Sequence, residues 1–575
     1  MKVLGINAIF HDSAACLLVD GVPVAAAEEE RFTRIKHHKR ARPFTAHALP
    51  YSAIDYCLRE GGLRLPDVDR VAYSFDPFPM IRRAGEQPFV LPENEDQAHQ
   101  RRRFDPWQTV FLAGAAEAER ALLEDAPWHL QSRIGRDEHH PWSFHWVPHH
   151  RAHAASAFFA SPFQRAAVMT IDGYGGDATT AYFVGDGTTL NEIGHVELPN
   201  SLGLLYELTT NYLGFLASSD EYKVMAMAAY GKPVFLDEFR GIVSRGERGD
   251  YRVAAPLLLG ARFGPNRRPG QPVEQRHFDV ACSLQAVLEE TVLDIASWLR
   301  RETGEVNLCL AGGVALNCVL NGKLRRSGLF RDVWVSPVAG DAGTALGAAL
   351  LLEHEQNSAT PRSYAMANAY LGPGYADDEI EAYLRHARVP FRKLDDIADE
   401  VAALLAAQLV VGWFQGRMEY GPRALGARSL LASAAAPAMR ERLNDIKGRE
   451  QFRPVAPVVP VEAAAAWFDL AGASPFMTFV EAVRPERIAQ IPAAAHVDGS
   501  ARLQTVDRAD NALLHDLLTA YGKKTGAPVL INTSFNVREE PIVCSIKDAV
   551  STFYTSSLDA VALGSFLLHK PDCER

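Results

Sequence analysis

The chain has 575 residues, of which 47% are hydrophobic and 9% are aromatic, and this length exceeds what a single hydrophobic core organises. Two or more globular domains are therefore predicted. The formal net charge of −11 argues against a broad nucleic-acid-binding surface, and seven cysteines without a C-x-x-C pair argue against a zinc ribbon or a disulfide framework.

The N-terminal segment, residues 2–30, predicts three strands. Apolar runs flank a polar turn at His11–Ser13, and a hairpin turn at Asp20–Gly21 leads into a third run. His11 and Asp12 also interrupt the apolar stretch that a signal peptide needs, and no apolar run in the sequence is long enough to span a membrane. We therefore expect a cytoplasmic protein without a membrane partner.

Two basic runs follow, RIKHHKRAR at 34–42 and RRRF at 101–104. Either run could be a solvated face, but the first follows directly on the strand-turn-strand pattern, where a basic loop could reach a phosphate. The second run belongs to a longer segment, 84–145, that contains Pro, Arg and Trp without clear periodicity. This segment is predicted to be an insertion, either a substrate lid or a plain surface excursion.

The stretch WVPHHRAHAASAFF predicts a helix that begins near His149, after Pro148. His149 and His153 are four residues apart and share one helix face, whereas His150 points elsewhere. Such a pair can be two ordinary helix histidines or two ligands of one metal ion. The metal interpretation requires oxygen ligands from other parts of the chain.

Residues 166–197 repeat the N-terminal plan, with an apolar strand that runs into Asp172 and Gly173 and a hairpin behind it. Two strand-turn-helix pieces follow, at 306–324 and at 333–351, the second around Gly340–Asp341. Glycines at such turns let backbone N–H groups approach a phosphate or a nucleoside, although they also simply permit tight turns. The duplicated plan is the layout of an α/β protein of the actin-like and sugar-kinase-like ATPase fold.

Asp172 and Asp341 both follow strands in this plan. Together with His149 and His153 they form a set of two imidazoles and two carboxylates, which suits Fe(II), Mn(II) or Zn(II). The joint occurrence, rather than any one residue, favours a metal site.

A polar, loop-like stretch at 355–375 precedes a helical stretch at 376–409 and a fresh strand, LVVGWFQG. We therefore predict two domains, 1–360 and 361–575. The second is dense in cations at predicted turns, and guanidinium groups match phosphate oxygens, although any single arginine could be an ion-pair partner. These cations are Arg417, Arg423, Arg428, Lys447, Arg449, Arg453, Arg502 and Arg538. The neutral donors Asn532, Ser534 and Asn536 follow a strand in the same half and could bind a polar ligand, such as a triphosphate, without adding charge.

Nine ordered motifs, which together span residue 1 to about 565, resemble the O-carbamoyltransferases of antibiotic and nodulation-factor biosynthesis. The motifs are FHDSAACLLVDG, AEEERFTRIKH, HHRAHAASAF, EYKVMAMAAYGKP, LAGGVALNCVLNGKL, AGDAGTALGAAL, FQGRMEYGPRALGARSLLA, KGREQFRPVAP and INTSFNVREEPIV. The family's N-terminal domain is similar to enzymes that place threonylcarbamoyl groups on tRNA. Its C-terminal domain resembles the α/β partner that makes their adenylate.

The resemblance implies a role for each matched residue. It puts the metal on His149, His153, Asp172 and Asp341, and the reacting groups beside His11 and Lys36. The adenylate would lie against Gly173, Gly203, Glu207, Gly312, Gly313, Asn317 and Gly343. Carbamoyl phosphate and ATP would lie against Arg417, Arg423, Lys447, Arg449, Arg453, Arg502, Asn532, Ser534, Asn536 and Arg538.

The resemblance implies a carbamoyltransferase that uses carbamoyl phosphate and ATP, with Mg(II) on the ATP and Fe(II), Mn(II) or Zn(II) in the metal site. Carbamoyl-adenylate would carry the group to a hydroxyl of a small-molecule natural product. The acceptor stays open among aminoglycoside, macrolide, ansamycin, cephem, nucleoside and guanidinium alkaloid, and a homodimer is one assembly left open. The alternatives are a tRNA threonylcarbamoyladenosine-type transferase, which the acidic balance disfavours, and a non-enzymatic actin-like nucleotide-binding module, which needs no histidine pair.

Overall fold

The computed structural model describes residues 1–38, 49–86, 112–135, 140–254, 257–357, 361–470, 472–537 and 540–570. The chain divides into two compact units, Met1–Met366 and Ala367–Arg575. Among the described residues, no helix is long and apolar enough to cross a membrane.

The first unit contains two five-stranded sheets and a short two-stranded ribbon. Its strands are β1 Lys2–Asn7, β2 Ala14–Val19, β3 Val22–Glu28, β4 Arg70–Tyr73, β5 Ser143–Trp146, β6 Arg165–Gly175, β7 Ala178–Asp186, β8 Thr189–Glu197, β9 Val243–Arg245, β10 Tyr251–Val253, β11 Asn307–Ala311 and β12 Asp332–Val335. Its helices are α1 Glu30–Thr33, α2 Tyr51–Glu60, α3 Phe78–Glu86, α4 Ala118–Glu124, α5 His149–Phe158, α6 Leu202–Tyr212, α7 Glu221–Met227, α8 Leu236–Ile242, α9 Leu259–Phe263, α10 Gln275–Thr303, α11 Cys318–Arg326 and α12 Ala342–Gln356.

The two large sheets repeat one topology. The first has the order β3-β2-β1-β4-β5 and the second, read from its hairpin edge, has the order β8-β7-β6-β11-β12. In each sheet an antiparallel three-stranded meander is followed by two strands that add in parallel. This repeat confirms the predicted duplicated α/β plan of the actin-like and sugar-kinase-like fold.

Close helix contacts bring α5 and α12 onto the sheets. A Cβ on Gly5 of β1 would lie 1.9 Å from the Ala345 carbonyl oxygen of α12, and a Cβ on Gly347 of α12 would lie 1.8 Å from the Ala152 carbonyl oxygen of α5. Only glycine permits such an approach. The helix with the histidine pair and the helix that follows Asp341 therefore cross at close range.

For much of the described part of 84–145, the interpretation as a plain surface excursion was wrong. β5 pairs in parallel with β4 at the edge of the first sheet. Leu112, Ala115, Leu122 and Trp142 belong to the same apolar core as β1. Single apolar side chains of this segment pack into a core that other segments mainly build. Its apolar residues therefore do not recur at the regular spacing of a helix or a strand. Residues 87–111, including RRRF, and residues 136–139 lie outside the described part of the chain.

The strands of the second unit are β13 Arg392–Lys393, β14 Val411–Phe414, β15 Arg428–Ser433, β16 Ala456–Pro460, β17 Phe468–Asp469, β18 Val480–Val483, β19 Ser500–Arg502, β20 Gln504–Val506, β21 Leu530–Ser534, β22 Ala560–Leu563 and β23 Phe566–His569. In the described residues they form an eight-stranded mixed sheet of order β13-β23-β22-β14-β15-β21-β16-β20 and a three-stranded sheet of order β17-β18-β19. The helices of this unit are α13 Asp377–His386, α14 Ile397–Ala406, α15 Ala438–Ile446, α16 Val461–Ala464, α17 Pro485–Ile488, α18 Ala512–Thr525 and α19 Ile546–Thr555.

Alternating strand residues build two apolar layers, one on each face of the large sheet. Phe414 and Leu430 belong to one buried cluster, while Trp413 and Leu431 belong to the other. A sheet covered on both faces produces runs such as LVVGWF, in which every residue is apolar or small. The stretch 376–409, predicted as helical, contains two helices with the short strand β13 between them.

Candidate active site

The histidine pair lies at the start of α5, which begins at His149 directly after Pro148. The His149 and His153 side chains are completely buried. Their Nε2 atoms lie 3.1 Å apart, so the two rings converge on one point.

Two carboxylates face the same point. Asp172 lies at the end of β6, where the pairing with β7 shifts register between Ile171 and Gly175, and Asp341 immediately precedes α12. Asp172 Oδ2 is 2.9 Å from His153 Nε2 and 3.7 Å from His149 Nε2. Asp341 Oδ1 is 3.5 Å and 3.7 Å from the same two nitrogens. Each of the four residues thus directs one donor atom into a common space, and together they form the His2Asp2 cluster.

These separations fit the edges of a metal coordination polyhedron. A tetrahedral ion with metal–ligand bonds of about 2.1 Å has ligand–ligand edges of about 3.4 Å. Two buried carboxylates are costly without a cation between them, and nitrogen with oxygen donors suits a divalent transition metal. The residues present therefore fit a divalent metal ion.

The charges of the cluster respond to one another strongly. Burial opposes a charge on His153, but Asp172 and Asp341 outweigh this cost and raise the pKa of His153 to about 9. Burial alone would raise the pKa of Asp172, yet the two imidazoles hold it well below its ordinary value. The site therefore stabilises a positive charge. Either a bound proton or a bound metal ion can supply that charge.

His150 lies next to the pair but has another function. Its Nδ1 lies 2.8 Å from Thr170 Oγ1 and its Nε2 lies 3.0 Å from the Ala178 carbonyl oxygen, so the ring joins β6 to β7. Burial lowers the pKa of His150 to about 3, which keeps the imidazole neutral. The structure thus gives His150 a packing role away from the cluster.

Packing orients the His149 ring. In the described part of the chain its Nδ1 has no hydrogen-bond partner. Phe10 meets the ring edge to face at a centroid distance of 5.3 Å, and Gly175 lies on another side. The missing side chain of Gly175 is what leaves room for the ring.

Gly175→Ala is therefore expected to displace His149 and weaken metal binding. The new Cβ would lie 2.3 Å from His149 Cδ2, which is inside van der Waals contact, and a shifted ligand should cost roughly 10-fold or more in affinity. Metal content of the purified variant, measured by elemental analysis, checks this result. Gly194→Ala on β8 is the matched control, because its Cβ would meet Tyr182 only at 3.7 Å. Equal metal content in both variants would contradict this account of Gly175.

His11 lies beside the His2Asp2 cluster. Its Nε2 is 3.8 Å from Asp341 Oδ2, the oxygen that does not face the histidine pair, and its Nδ1 is 2.8 Å from Asp12 Oδ2. Burial raises the pKa of Asp12, but the His37 and His11 imidazoles outweigh this effect and hold it well below its ordinary value. Asp12 and His37 were not among the predicted site residues, although each is the next residue after one that was.

The segment AEEERFTRIKH holds the loop that carries Lys36. The Glu29 carboxylate accepts hydrogen bonds from the Ser52 and Ala53 N–H groups at the start of α2. Arg31 is bonded to both Glu28 and Glu30, and the second oxygen of Glu30 accepts from the His37 N–H at 2.6 Å. The acidic run is therefore a scaffold, and Lys36 is half-buried at its end.

The residues predicted to contact an adenylate fall into two groups. A Cβ on Gly203, Gly312 or Gly343 would lie within 2.6 Å of a backbone atom, so chain packing alone requires glycine there. Gly173 and Gly313 have more room, with Leu204 and the Asp172 carboxylate as their nearest neighbours. Backbone packing does not by itself require glycine at these last two positions.

Asn317 and Glu207 already have partners within the unit. Asn317 Oδ1 caps α11 by accepting from the Leu320 N–H, and its Nδ2 donates to Gln285. Glu207 accepts a hydrogen bond from the Ser218 hydroxyl. Both residues brace the loops beside the cluster, and contact with an adenylate stays a prediction.

In the second unit, Lys447, Ser534 and Asn536 form one cluster. Lys447 is 6% exposed, and its ammonium group donates to Ser534 Oγ at 3.2 Å, to the Asn536 carbonyl oxygen at 3.0 Å and to Asn536 Oδ1 at 2.6 Å. The Ser534 hydroxyl also donates to Asn536 Oδ1 at 2.7 Å. Lys447 thus meets both Ser534 and Asn536 at the end of β21.

The remaining predicted cations have varied surroundings. Arg449 Nε donates to Asn444 Oδ1 at 2.6 Å, Arg453 lies 3.6 Å from Glu450, and Arg417 Nη2 donates to the Leu371 carbonyl oxygen. Arg423 and Arg502 are half-buried, the former in the loop before β15 and the latter at the end of β19. Arg538 lies outside the described residues.

Arg428 and Asn532 have structural roles. Arg428 is fully buried, its guanidinium donates to the carbonyl oxygens of Gln415, Gly416 and Pro373, and it lies 3.7 Å over the Phe414 ring. Arg428 is therefore not a phosphate ligand, which corrects the sequence-based interpretation. Asn532 is also fully buried, and its Nδ2 donates to Gln504 and to the Ala424 carbonyl oxygen.

Duplicated sheets with a buried His2Asp2 cluster, followed by a second α/β unit with a lysine site, define a two-unit α/β protein with a metal-type centre. Family models described as Carbamoyltransferase N-terminus and Carbamoyltransferase C-terminus match residues 2–350 and 402–570. The chain belongs to the carbamoyltransferase family.

Three of its relatives align with almost the whole chain. Nodulation protein NolNO of Sinorhizobium fredii is 40% identical over 576 residues, which cover 98% of this chain and 80% of that protein. Nodulation protein U of Rhizobium fredii is 30% identical and covers 93% of this chain and 90% of its own length. A protein of Synechocystis, sll1178, is 40% identical and covers 99% and 96%. The match of both carbamoyltransferase models, together with these relatives, supports a transferase enzyme.

Proposed function

We propose that this carbamoyltransferase moves the carbamoyl group of carbamoyl phosphate, through carbamoyl-adenylate, to a hydroxyl group of a small-molecule natural product, at the expense of ATP. The observation that carries the proposal is the buried His2Asp2 cluster of the first unit, with His11 3.8 Å from its Asp341 carboxylate. The lysine cluster of the second unit supports a second site, because two half-reactions need two sets of groups.

The chemistry explains why two steps are needed. A carbamate is a poor electrophile and an unactivated alcohol is a poor nucleophile, so the carbamoyl group must first be joined to a good leaving group. In the proposed first step water hydrolyses carbamoyl phosphate to phosphate and carbamate. A carbamate oxygen then attacks the α-phosphorus of ATP, and pyrophosphate leaves.

We assign this first step to the second unit. Lys447 brings a buried positive charge to Ser534 and Asn536, whose polar atoms it holds together. An ammonium with neutral amide and hydroxyl donors recognises phosphate and carbamoyl groups. Arg417, Arg423, Arg449, Arg453, Arg502 and Arg538 are proposed to bind the remaining phosphate oxygens. Asn532 would support this site from beneath the sheet surface.

We assign the transfer step to the first unit. His149, His153, Asp172 and Asp341 would hold a divalent ion, for which we favour Fe(II) over Mn(II) and Zn(II). When bound, such an ion would supply Lewis-acid polarisation of a substrate oxygen. His11 takes the proton of the acceptor hydroxyl at Nε2. Lys36 balances the negative charge that develops on the departing phosphate. The adenylate would lie against Gly173 and Gly313, which adjoin Asp172.

The acceptor is identified by a screen of hydroxyl compounds. Purified protein with carbamoyl phosphate, ATP and Mg(II) is incubated with a panel of aminoglycosides, macrolides, ansamycins, cephems, nucleosides and guanidinium alkaloids. Mass spectrometry then detects the gain of one carbamoyl group. Total tRNA, with threonine and bicarbonate added, is tested beside the panel, and modification of its adenosine with none on any small molecule would favour the tRNA-modifying alternative.

We expect AMP and pyrophosphate, and not ADP, to appear in step with the carbamoylated product. The reason is that attack at the α-phosphorus releases pyrophosphate, whereas attack at the γ-phosphorus would release ADP. Chromatography of the nucleotides during turnover measures the ratio. The control omits carbamoyl phosphate and should give no AMP. ADP formed stoichiometrically with product would eliminate the adenylate route.

A further inference from the structure

Asp12 connects two histidines, His11 and His37, at the edge of the His2Asp2 cluster. Its Oδ2 lies 2.8 Å from His11 Nδ1 and its Oδ1 lies 2.8 Å from His37 Nδ1. His37 Nε2 in turn lies 3.0 Å from the Ser219 hydroxyl. One carboxylate therefore fixes both rings in a continuous hydrogen-bonded chain.

The backbone holds this arrangement in an unusual conformation. Phe10, Asp12 and His37 have φ values of 57°, 53° and 58°, in the left-handed region that non-glycine residues rarely adopt. The Asp12 N–H donates to the His37 carbonyl oxygen at 3.0 Å, which joins the two loops directly. Such conformations persist only where the surroundings impose them, and they concentrate at functional sites.

A buried polar network anchors the same turn from the other side. Asn7 is fully buried, and its Nδ2 donates to the carbonyl oxygens of His11 and Asp12, each at 3.1 Å. Its Oδ1 accepts from the Ser74 hydroxyl, which accepts in turn from the Thr344 hydroxyl on α12. The turn is thus tied to the helix that follows Asp341.

Hydrogen-bond chemistry determines the tautomer of His11. An ionised carboxylate only accepts hydrogen bonds, so both imidazoles must carry a proton on the Nδ1 that faces Asp12. In a neutral His11 ring the lone pair then lies on Nε2, which faces Asp341 Oδ2. This is the nitrogen that the transfer step requires as a base.

We propose that Asp12 is a positioning residue for carbamoyl transfer, which orients His11 with its Nε2 lone pair toward the acceptor hydroxyl and stabilises the His11 imidazolium that forms. The inference rests on the proposed function of the first unit. As the acceptor oxygen bonds to the carbamoyl carbon, its proton passes to His11 Nε2. The bond from that carbon to the AMP oxygen breaks, and the electron pair leaves with AMP.

His37 completes the arrangement by occupying the second Asp12 oxygen. Without His37, the Asp12 carboxylate could rotate toward other donors and would orient His11 less well. Glu30 also approaches this group, but its Oε2 accepts the His37 N–H at 2.6 Å and its Oε1 accepts from Arg31 at 2.7 Å. We therefore interpret Asp12, Glu30 and His37 as a mutually bonded scaffold.

The test is Asp12→Asn in the full-length protein, assayed with the panel compound that the wild type carbamoylates fastest. Asparagine keeps the shape and tolerates the left-handed backbone, but it removes the charge that stabilises the imidazolium and cannot accept from both rings. We expect kcat to fall roughly 10²- to 10⁴-fold, as for other carboxylates that orient a catalytic histidine, with KM for the acceptor nearly unchanged. Metal content and the AMP-forming half-reaction should be retained.

Asp20→Asn is the matched control. Asp20 is also an aspartate in the left-handed region, with φ of 51°, but it stands at the opposite end of β2 with a side chain that is 82% exposed. It should leave kcat unchanged. His37→Gln should lower kcat by less than Asp12→Asn does, and it keeps the inference testable if Asp12→Asn loses its metal.

A double-mutant cycle separates positioning from general packing. If Asp12 acts through His11, Asp12→Asn should cost little in a His11→Gln background, so the two effects should be far from additive. Additive losses, or a kcat of Asp12→Asn within about 3-fold of wild type, would overturn the positioning role and leave the proposed function intact. A wild type that carbamoylates no compound would instead overturn the proposed function and this inference with it.

Discussion

His149→Ala and His153→Ala are each expected to purify with far less than one metal ion per chain and to lose carbamoyl transfer. Each change leaves three of the four converging donor atoms and opens a gap of one imidazole in a buried site. Loss of a ligand from a four-residue set should lower metal affinity by more than about 100-fold, since even changes outside the ligand set cost up to that amount. Elemental analysis after anaerobic purification measures the metal.

The control is the neighbouring histidine. His150→Gln retains a side chain that can hydrogen-bond with Thr170 and the Ala178 carbonyl oxygen, and it should keep a full complement of metal. All variants should still form AMP from ATP and carbamoyl phosphate, because that step is assigned to the second unit. Full metal content in all three variants, or none in the wild type, would make His149 and His153 ordinary helix residues.

The sequence predicted the features of this fold that arise from local pattern. The strand-turn-strand units at 2–28 and 166–197 contain their own apolar alternation and their own turn residues, so each can be identified without the rest of the chain. Their repetition was enough to predict the duplicated sheets. The spacing of His149 and His153 likewise follows from one helix, and it placed both rings on a common face.

Features that depend on distant partners could not be predicted in this way. Arg428 and Asn532 are residue types that can bind phosphate. In the structure they instead donate hydrogen bonds to groups far along the chain, such as the Pro373 carbonyl oxygen and the Gln504 side chain. Likewise, nothing near Asp12 in the sequence indicates that His37 approaches its carboxylate. The role of a polar residue is decided by which groups the fold brings to it, and these long-range pairs appear only in the structure.

Lys447→Ala is expected to abolish formation of carbamoyl-adenylate and to leave transfer from supplied carbamoyl-adenylate largely intact. The change removes a buried ammonium that lies within hydrogen-bonding distance of four oxygen atoms of Ser534 and Asn536, so the site loses both its charge and the bonds that hold those residues together. Loss of one such charged group should slow the first step by roughly 10²-fold or more. Release of pyrophosphate from ATP and carbamoyl phosphate measures the first step, and mass spectrometry of the acceptor measures the second.

Two further variants distinguish charge from architecture at this site. Lys523→Ala removes an exposed lysine near the end of α18 and should leave both steps at the wild-type rate. Ser534→Ala keeps the ammonium but removes one of its acceptors, so it should slow the first step less than Lys447→Ala does. If both steps fell together in Lys447→Ala while the protein kept its metal and its thermal transition, the two half-reactions would share one site. The assignment of carbamoyl activation to the second unit would then have to be given up, whereas selective loss of pyrophosphate release would locate that step at Lys447.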